Sequence, residues 1–145
     1  MCAGIELNGN DKGARIYFPQ PQAVLPVLKR GGGELMLTWG ARGKEYAGGD
    51  RRIKWPEGGW ARLESIKAGR WAAFDPQPVR IPVRGFMEKD NEGKSHWFAL
   101  GPGQFIQGLI ARAGGERRVY VVTVNPPPEH AHIHDRWPRI VSDAE

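Results

Sequence analysis

A single α+β domain, dominated by antiparallel, partly barrel-like β-sheet with a few short helices, is the fold class this sequence predicts. Three observations carry that expectation. Short β-prone runs recur along the chain, each bounded by Gly, Pro, Asn or Asp. One stretch alone has helical spacing. Neither a repeat nor a composition break divides the 145 residues, so 1–145 reads as one domain, long enough to bury a core without covalent staples.

In order, Ala14-Arg15-Ile16-Tyr17-Phe18 is β-prone and stops at Pro19-Gln20-Pro21. Ala23 to Leu28 is a second apolar run, and its internal Pro26 suits an edge strand, where a missing N–H goes unnoticed. After the Gly31-Gly32-Gly33 turn, Glu34 to Trp39 predicts a central strand. Gly40 to Gly59 is polar, glycine-rich and basic, and reads as a long surface loop, either a binding element or a mobile connection. Between Ala61 and Phe74, Leu63, Ile66, Trp71 and Phe74 recur at helical spacing, with Gly69 weakening the second half. Strands return at Val79–Val83 and Gly85–Glu88, followed by a hairpin turn at Asp90-Asn91-Glu92-Gly93. Ser95–Leu100, Gln104–Ala111, a Gly114-Gly115 turn and Arg118–Val124 complete the sheet.

Composition narrows the function. Lys and Arg number 21 against 16 Asp and Glu, and the isoelectric point is about 9.7, a balance that suits a polyanionic partner. The six tryptophans offer faces on which unpaired bases stack, at roughly 1–3 kcal/mol each, although most such rings serve cores. One cysteine excludes an intramolecular disulfide framework. Residues 1–20 lack the apolar run of a signal peptide, and no stretch has the length of a membrane span. The expectation is a cytoplasmic monomer with no membrane partner.

Two segments concentrate chemistry. Asn125 to Pro138 holds His130, His132 and His134 among prolines. Asn125 can cap a short helical turn in which His130 and His134 share a face and His132 points away. An extended chain would instead line up all three, the arrangement of a metal-dependent hydrolase. The prolines favour the turn, and no second cluster completes a ligand set, so neither a metal nor another cofactor is expected. Asp135 and Arg136 directly follow His134 and can set its tautomer or orient a substrate.

The other segment is the start, Met1-Cys2-Ala3-Gly4. A small second residue permits methionine removal, which would leave Cys2 with a free α-amine. An amine that titrates near about 7.7–8.0 and a thiol near about 8.5 are both partly nucleophilic at neutral pH. Together they condense with an aldehyde, first as a Schiff base and then as a thiazolidine ring.

As a set, Met1-Cys2, Trp39-Gly40, Ala61-Arg62-Leu63-Glu64-Ser65, Ile81 to Glu88, Gly108-Leu109, Thr123 and Ile133-His134-Asp135-Arg136-Trp137-Pro138 resemble, in order, the SOS-response-associated peptidase family. Its members sense abasic sites in the DNA damage response and crosslink to single-stranded DNA through an N-terminal cysteine. The resemblance implies Cys2 as nucleophile, for both autocatalytic exposure of the N-terminus and the thiazolidine link. It implies Glu88 as proton carrier for the amine and His134 as helper in proton transfer at the sugar, and lyase activity beside the crosslinking. Arg62 would hold a phosphate beside the lesion and Thr123 would line the pocket, with Trp39, Trp60 and Arg136 completing the DNA-binding set. The implied partner is single-stranded DNA containing abasic sites. The chain departs from the family where Trp60 replaces an asparagine, Met87 a tyrosine and Lys89 a tryptophan, and where Ala3-Gly4 lacks the usual arginine. A descendant that binds single strands without the chemistry is the alternative these departures leave.

Overall fold

The computed structural model describes residues 3–8 and 14–142; Cys2, the predicted nucleophile, lies outside them. In chain order the strands are β1 (Gly4–Leu7), β2 (Arg15–Tyr17), β3 (Val24–Leu28), β4 (Glu34–Trp39), β5 (Trp60–Arg62), β6 (Gln77–Ile81), β7 (Val83–Lys89), β8 (Ser95–Ala99), β9 (Gln104–Ala113), β10 (Glu116–Val124), β11 (Trp137–Pro138) and β12 (Ile140–Ser142). Helix α1 spans Leu63–Lys67, and single 3₁₀ turns occupy Ala47–Gly49, Ala72–Phe74 and Pro128–His130.

A smaller antiparallel sheet has the order β2-β1-β7-β8. The larger one runs β12-β9-β10-β4-β3, with β5 and β11 on β10 and β6 on β9. It is mixed, because β4 and β5 lie parallel to β10 while β9 is antiparallel to it. The hairpin between β9 and β10 turns on Gly114 and Gly115, whose φ values of 57° and 77° fit a two-residue turn that other residues rarely adopt. Beyond Gly108 and Val121 these strands splay, and the C-terminal segment fills the gap. There the Arg139 N–H donates to the Val122 carbonyl and the Arg139 carbonyl accepts from Gln107 N–H, each at 2.8 Å.

The alternation along β10 sorts its residues to two cores. Val119 and Val121 face the smaller sheet and meet Ile5, Phe86, Ile106 and Trp137. Tyr120 and Val122 face the other way and pack with Trp55, Trp71 and Leu109. The fold class is as the sequence predicts, with β3 at an edge and β4 inside the sheet. The barrel, however, does not close. Edge strands β3 and β6 come within 8 Å of each other, yet no pairing joins them among the described residues.

Two local expectations are corrected. The Ala61–Phe74 helix is only α1 plus a 3₁₀ turn, because Trp60–Arg62 pairs with β10 instead and Gly69 turns to φ 80°. The Gly40–Gly59 loop is neither structureless nor a long excursion. It is pinched at Ala41–Gly58 and Tyr46–Lys54 and folded over Trp55, which has no exposed surface. Arg118 anchors it from β10, donating to the Gly40 carbonyl at 2.9 Å, pairing with Glu45 at 3.1 Å and lying over the Trp55 ring at 5.1 Å. Gly40 itself has φ 60°, and a Cβ there would stand 2.1 Å from the Gly58 carbonyl oxygen. Among the described residues no helix is long and apolar enough to cross a membrane.

Candidate functional site at the start of the chain

Strand β1 is clamped between β2 and β7, so the chain enters the fold in the middle of a sheet. Gly4 sits opposite both Tyr17 and Met87. It admits no side chain without shifting neighbours, since a Cβ would lie 3.2 Å from the Tyr17 ring. Ala3 is held on both sides: its N–H donates to the Met87 carbonyl at 3.2 Å, and its carbonyl accepts from Phe18 N–H at 3.0 Å. The start of the described chain is therefore fixed beside the residue that precedes Glu88.

Glu88 is fully buried, not the surface charge that a strand end would suggest. It shares the core-facing side of β7 with Phe86, by the strand period of two. Burial pushes its carboxyl up to about 7, the positive amino terminus pulls against that shift, and the Asp135 charge adds to it. A carboxyl so placed is part protonated at neutral pH and can both give and take a proton. His96 is its cross-strand neighbour, but that ring is held by Asp90, Nε2 to Oδ2 at 2.8 Å.

His134 comes to the same region from the C-terminal segment. That segment is fastened by aromatic packing: Trp137 lies 5.2 Å from Phe86 and 4.7 Å from Phe98, and stacks on His130 at 5.1 Å. Burial lowers the His134 pKa, the amino terminus lowers it further, and Asp135 opposes. Its Nδ1 has a partner in either charge state. Neutral, it accepts the Arg136 N–H at 3.1 Å; protonated, it donates to Asp135 Oδ1 at 2.9 Å. Glu88 and His134 thus both feel Asp135 and the positive charge of the amino terminus.

Arg62 and Thr123 are register partners across β5 and β10, and Trp60 partners Val121 two residues earlier. Arg62 is exposed. Trp60 is half-buried, edge-on to Phe18 at 5.0 Å and to Trp39 at 6.4 Å. Through Phe18 it adjoins Ala3.

No protein-family model and no curated protein matches the chain.

Three residues of the expected DNA-binding set serve the interior. Thr123 is 1% exposed, and its Oγ1 accepts from the Arg136 guanidinium at 3.3 Å. Trp39 has no exposed surface, and its Nε1 donates to the Gly59 carbonyl at 2.9 Å. Arg136 is 4% exposed. Its guanidinium donates to both Glu64 oxygens at 2.9 and 3.0 Å, to the Thr123 carbonyl at 2.7 Å and to Asn125 Oδ1 at 3.2 Å. It ties α1 to β10 and to the C-terminal segment. Asn125 is drawn into this clamp instead of capping a helix. The turn at Pro128–His130 has no side-chain cap. His130 is spent on Trp137, His132 is exposed, and among the described residues no three His, Cys, Asp or Glu side chains converge on a metal-sized site. Phe18, which links Ala3 to Trp60, escaped sequence reasoning. Its only signal is its place just before the Pro19-Gln20-Pro21 break.

Proposed function

We propose that this protein binds single-stranded DNA and captures the ring-opened aldehyde of an abasic site through Cys2, once Met1 is removed. The observation that supports the proposal is the fixing of Ala3 against Met87, the residue that precedes buried Glu88. In the reaction the α-amine of Cys2 attacks the sugar aldehyde carbon, a proton moves from nitrogen to oxygen, and water leaves as the imine forms. The Cys2 sulfur then adds to the imine carbon and nitrogen regains a proton, closing the thiazolidine. Glu88, near the midpoint of its titration, takes the proton from the amine and returns one to the departing hydroxyl. His134, kept neutral by burial, serves as base at the sugar, and Arg62 pairs with a flanking phosphate.

The setting of Glu88 favours this reading over a descendant that only binds. A fully buried carboxyl costs stability, and perturbed groups of this kind cluster at reactive sites. The test is incubation with abasic and with intact single strands, followed by a denaturing gel and intact-mass measurement. A covalent product with abasic strands alone, from protein lacking Met1, supports capture. Binding without any covalent product supports the descendant.

A further inference from the structure

The β9–β10 hairpin continues past the end of the core. On its core-facing side β9 runs Gly108, Ile110, Arg112 and β10 runs Val121, Val119, Arg117, so the apolar lining gives way to two arginines. Arg112 and Arg117 are register partners. Like charges directly opposite each other weaken a sheet, so this pair is placed against stability. The two line a groove of about 700 Å³ that opens at the unpaired seam between β3 and β6, together with Lys29, Arg30 and Arg80. Val27, Val79 and Ile110 form its apolar floor. Gln77 Oε1 accepts from Arg112 at 2.6 Å. Asp75 approaches Arg112 only to 3.6 Å, from a side chain 80% exposed, a pairing worth little in water. Arg80 lies over Phe105 at 5.5 Å.

We propose that this seam is a second, non-reactive binding site for a single-stranded nucleic acid, whose phosphates meet the five cations and whose bases reach the apolar floor. An added peptide strand is disfavoured by width. It needs about 9.6 Å between its two neighbours, and β3 and β6 approach within 8 Å. A duplex keeps its base faces stacked inside and cannot use the floor. Arginine forks match phosphate oxygens two at a time. Arg117 stands six residues from Thr123 along β10, about 20 Å at strand rise, so this groove is separate from the Arg62–Thr123 pair.

The test uses full-length protein carrying Cys2→Ala and a fluorescein-labelled dT15 strand without any abasic site, followed by anisotropy from 50 to 200 mM NaCl. Arg112→Gln with Arg117→Gln should weaken binding about tenfold at 100 mM. It should also flatten the salt slope by about 1.4, two phosphates at about 0.7 each. The melting temperature should hold or rise as the like-charge pair disappears. Arg62→Ala should weaken binding additively. If the double variant proves unstable, Lys29→Gln with Arg30→Gln in the exposed turn after β3 carries the same expectation. Unchanged affinity and slope in both pairs would overturn the proposal. So would displacement of dT15 by poly-L-glutamate at equal charge concentration, which would make the groove a site for acidic polypeptide.

Discussion

Glu88→Gln keeps the shape of a buried side chain and removes its titration, so its effect on stability must depend on pH in a direction that burial sets. The carboxyl titrates at about 7 in the folded protein, against an ordinary 4.5. Below about 4.5 both folded and unfolded chains hold the proton, and no penalty exists. Between 4.5 and about 7 the unfolded chain releases its proton first, so wild-type stability falls as pH rises, by about 1.4 kcal/mol per pH unit. The loss accumulates to about 3 kcal/mol and is complete above pH 7, a large share of the roughly 5–15 kcal/mol that holds a domain together. Glu88→Gln escapes this loss. Urea midpoints followed by tryptophan fluorescence at pH 4.5, 6 and 8 should show the variant gaining on wild type by about 3 kcal/mol across the series. A stability difference that stays constant with pH, or that moves in favour of wild type, would refute the buried, raised-pKa description of Glu88. Capture of abasic strands should fall in the same variant, because the amide cannot relay a proton.

Gly40→Ala should cost about 3 kcal/mol or more in a thermal or urea unfolding measurement, since the new Cβ meets the Gly58 carbonyl and the backbone is left-handed there. Arg136→Met should lose about 2 kcal/mol in the same assay by stranding the buried Thr123 carbonyl. Arg62→Ala should stay within about 0.5 kcal/mol while weakening binding to single strands. Trp60→Asn empties space between Phe18 and Trp39 and should cost about 2–3 kcal/mol. Its yield of covalent product should not rise, and a higher yield would mean that the indole blocks the site.

Where local chemistry decides, the sequence was readable. Pro26 marked an edge strand, Glu34–Trp39 emerged with its own boundaries, and Asp90 holds its turn by accepting from Glu92 and Lys94 N–H at 2.9 Å. Where a distant partner decides, it was not. The helical spacing of Leu63, Ile66, Trp71 and Phe74 is real, but β10 captures Trp60–Arg62 first. Asn125 has the chemistry of a cap, and a buried guanidinium outbids the helix for it. Trp39 and Arg136 are residue types that bind DNA as readily as they fill interiors, and only distant partners turn them inward, β10 beside β4 for Trp39 and Glu64, Thr123 and Asn125 for Arg136. The candidate site divides the same way. Its neighbours Asp135 and Arg136 draw attention to His134 and the family resemblance to Glu88, whereas the burial that shifts their pKa values depends on β1, β7 and the C-terminal segment meeting.

The central claim is that Cys2 forms the bond to DNA, and peptide mapping tests it most directly. Protein reacted with an abasic single strand is digested with nuclease and protease and read by tandem mass spectrometry, beside Cys2→Ala. The account predicts a sugar-phosphate remnant on the amino-terminal peptide at Cys2, with amine and sulfur both consumed, and no adduct in the variant. A remnant on a lysine, or an equal yield from Cys2→Ala, would contradict it.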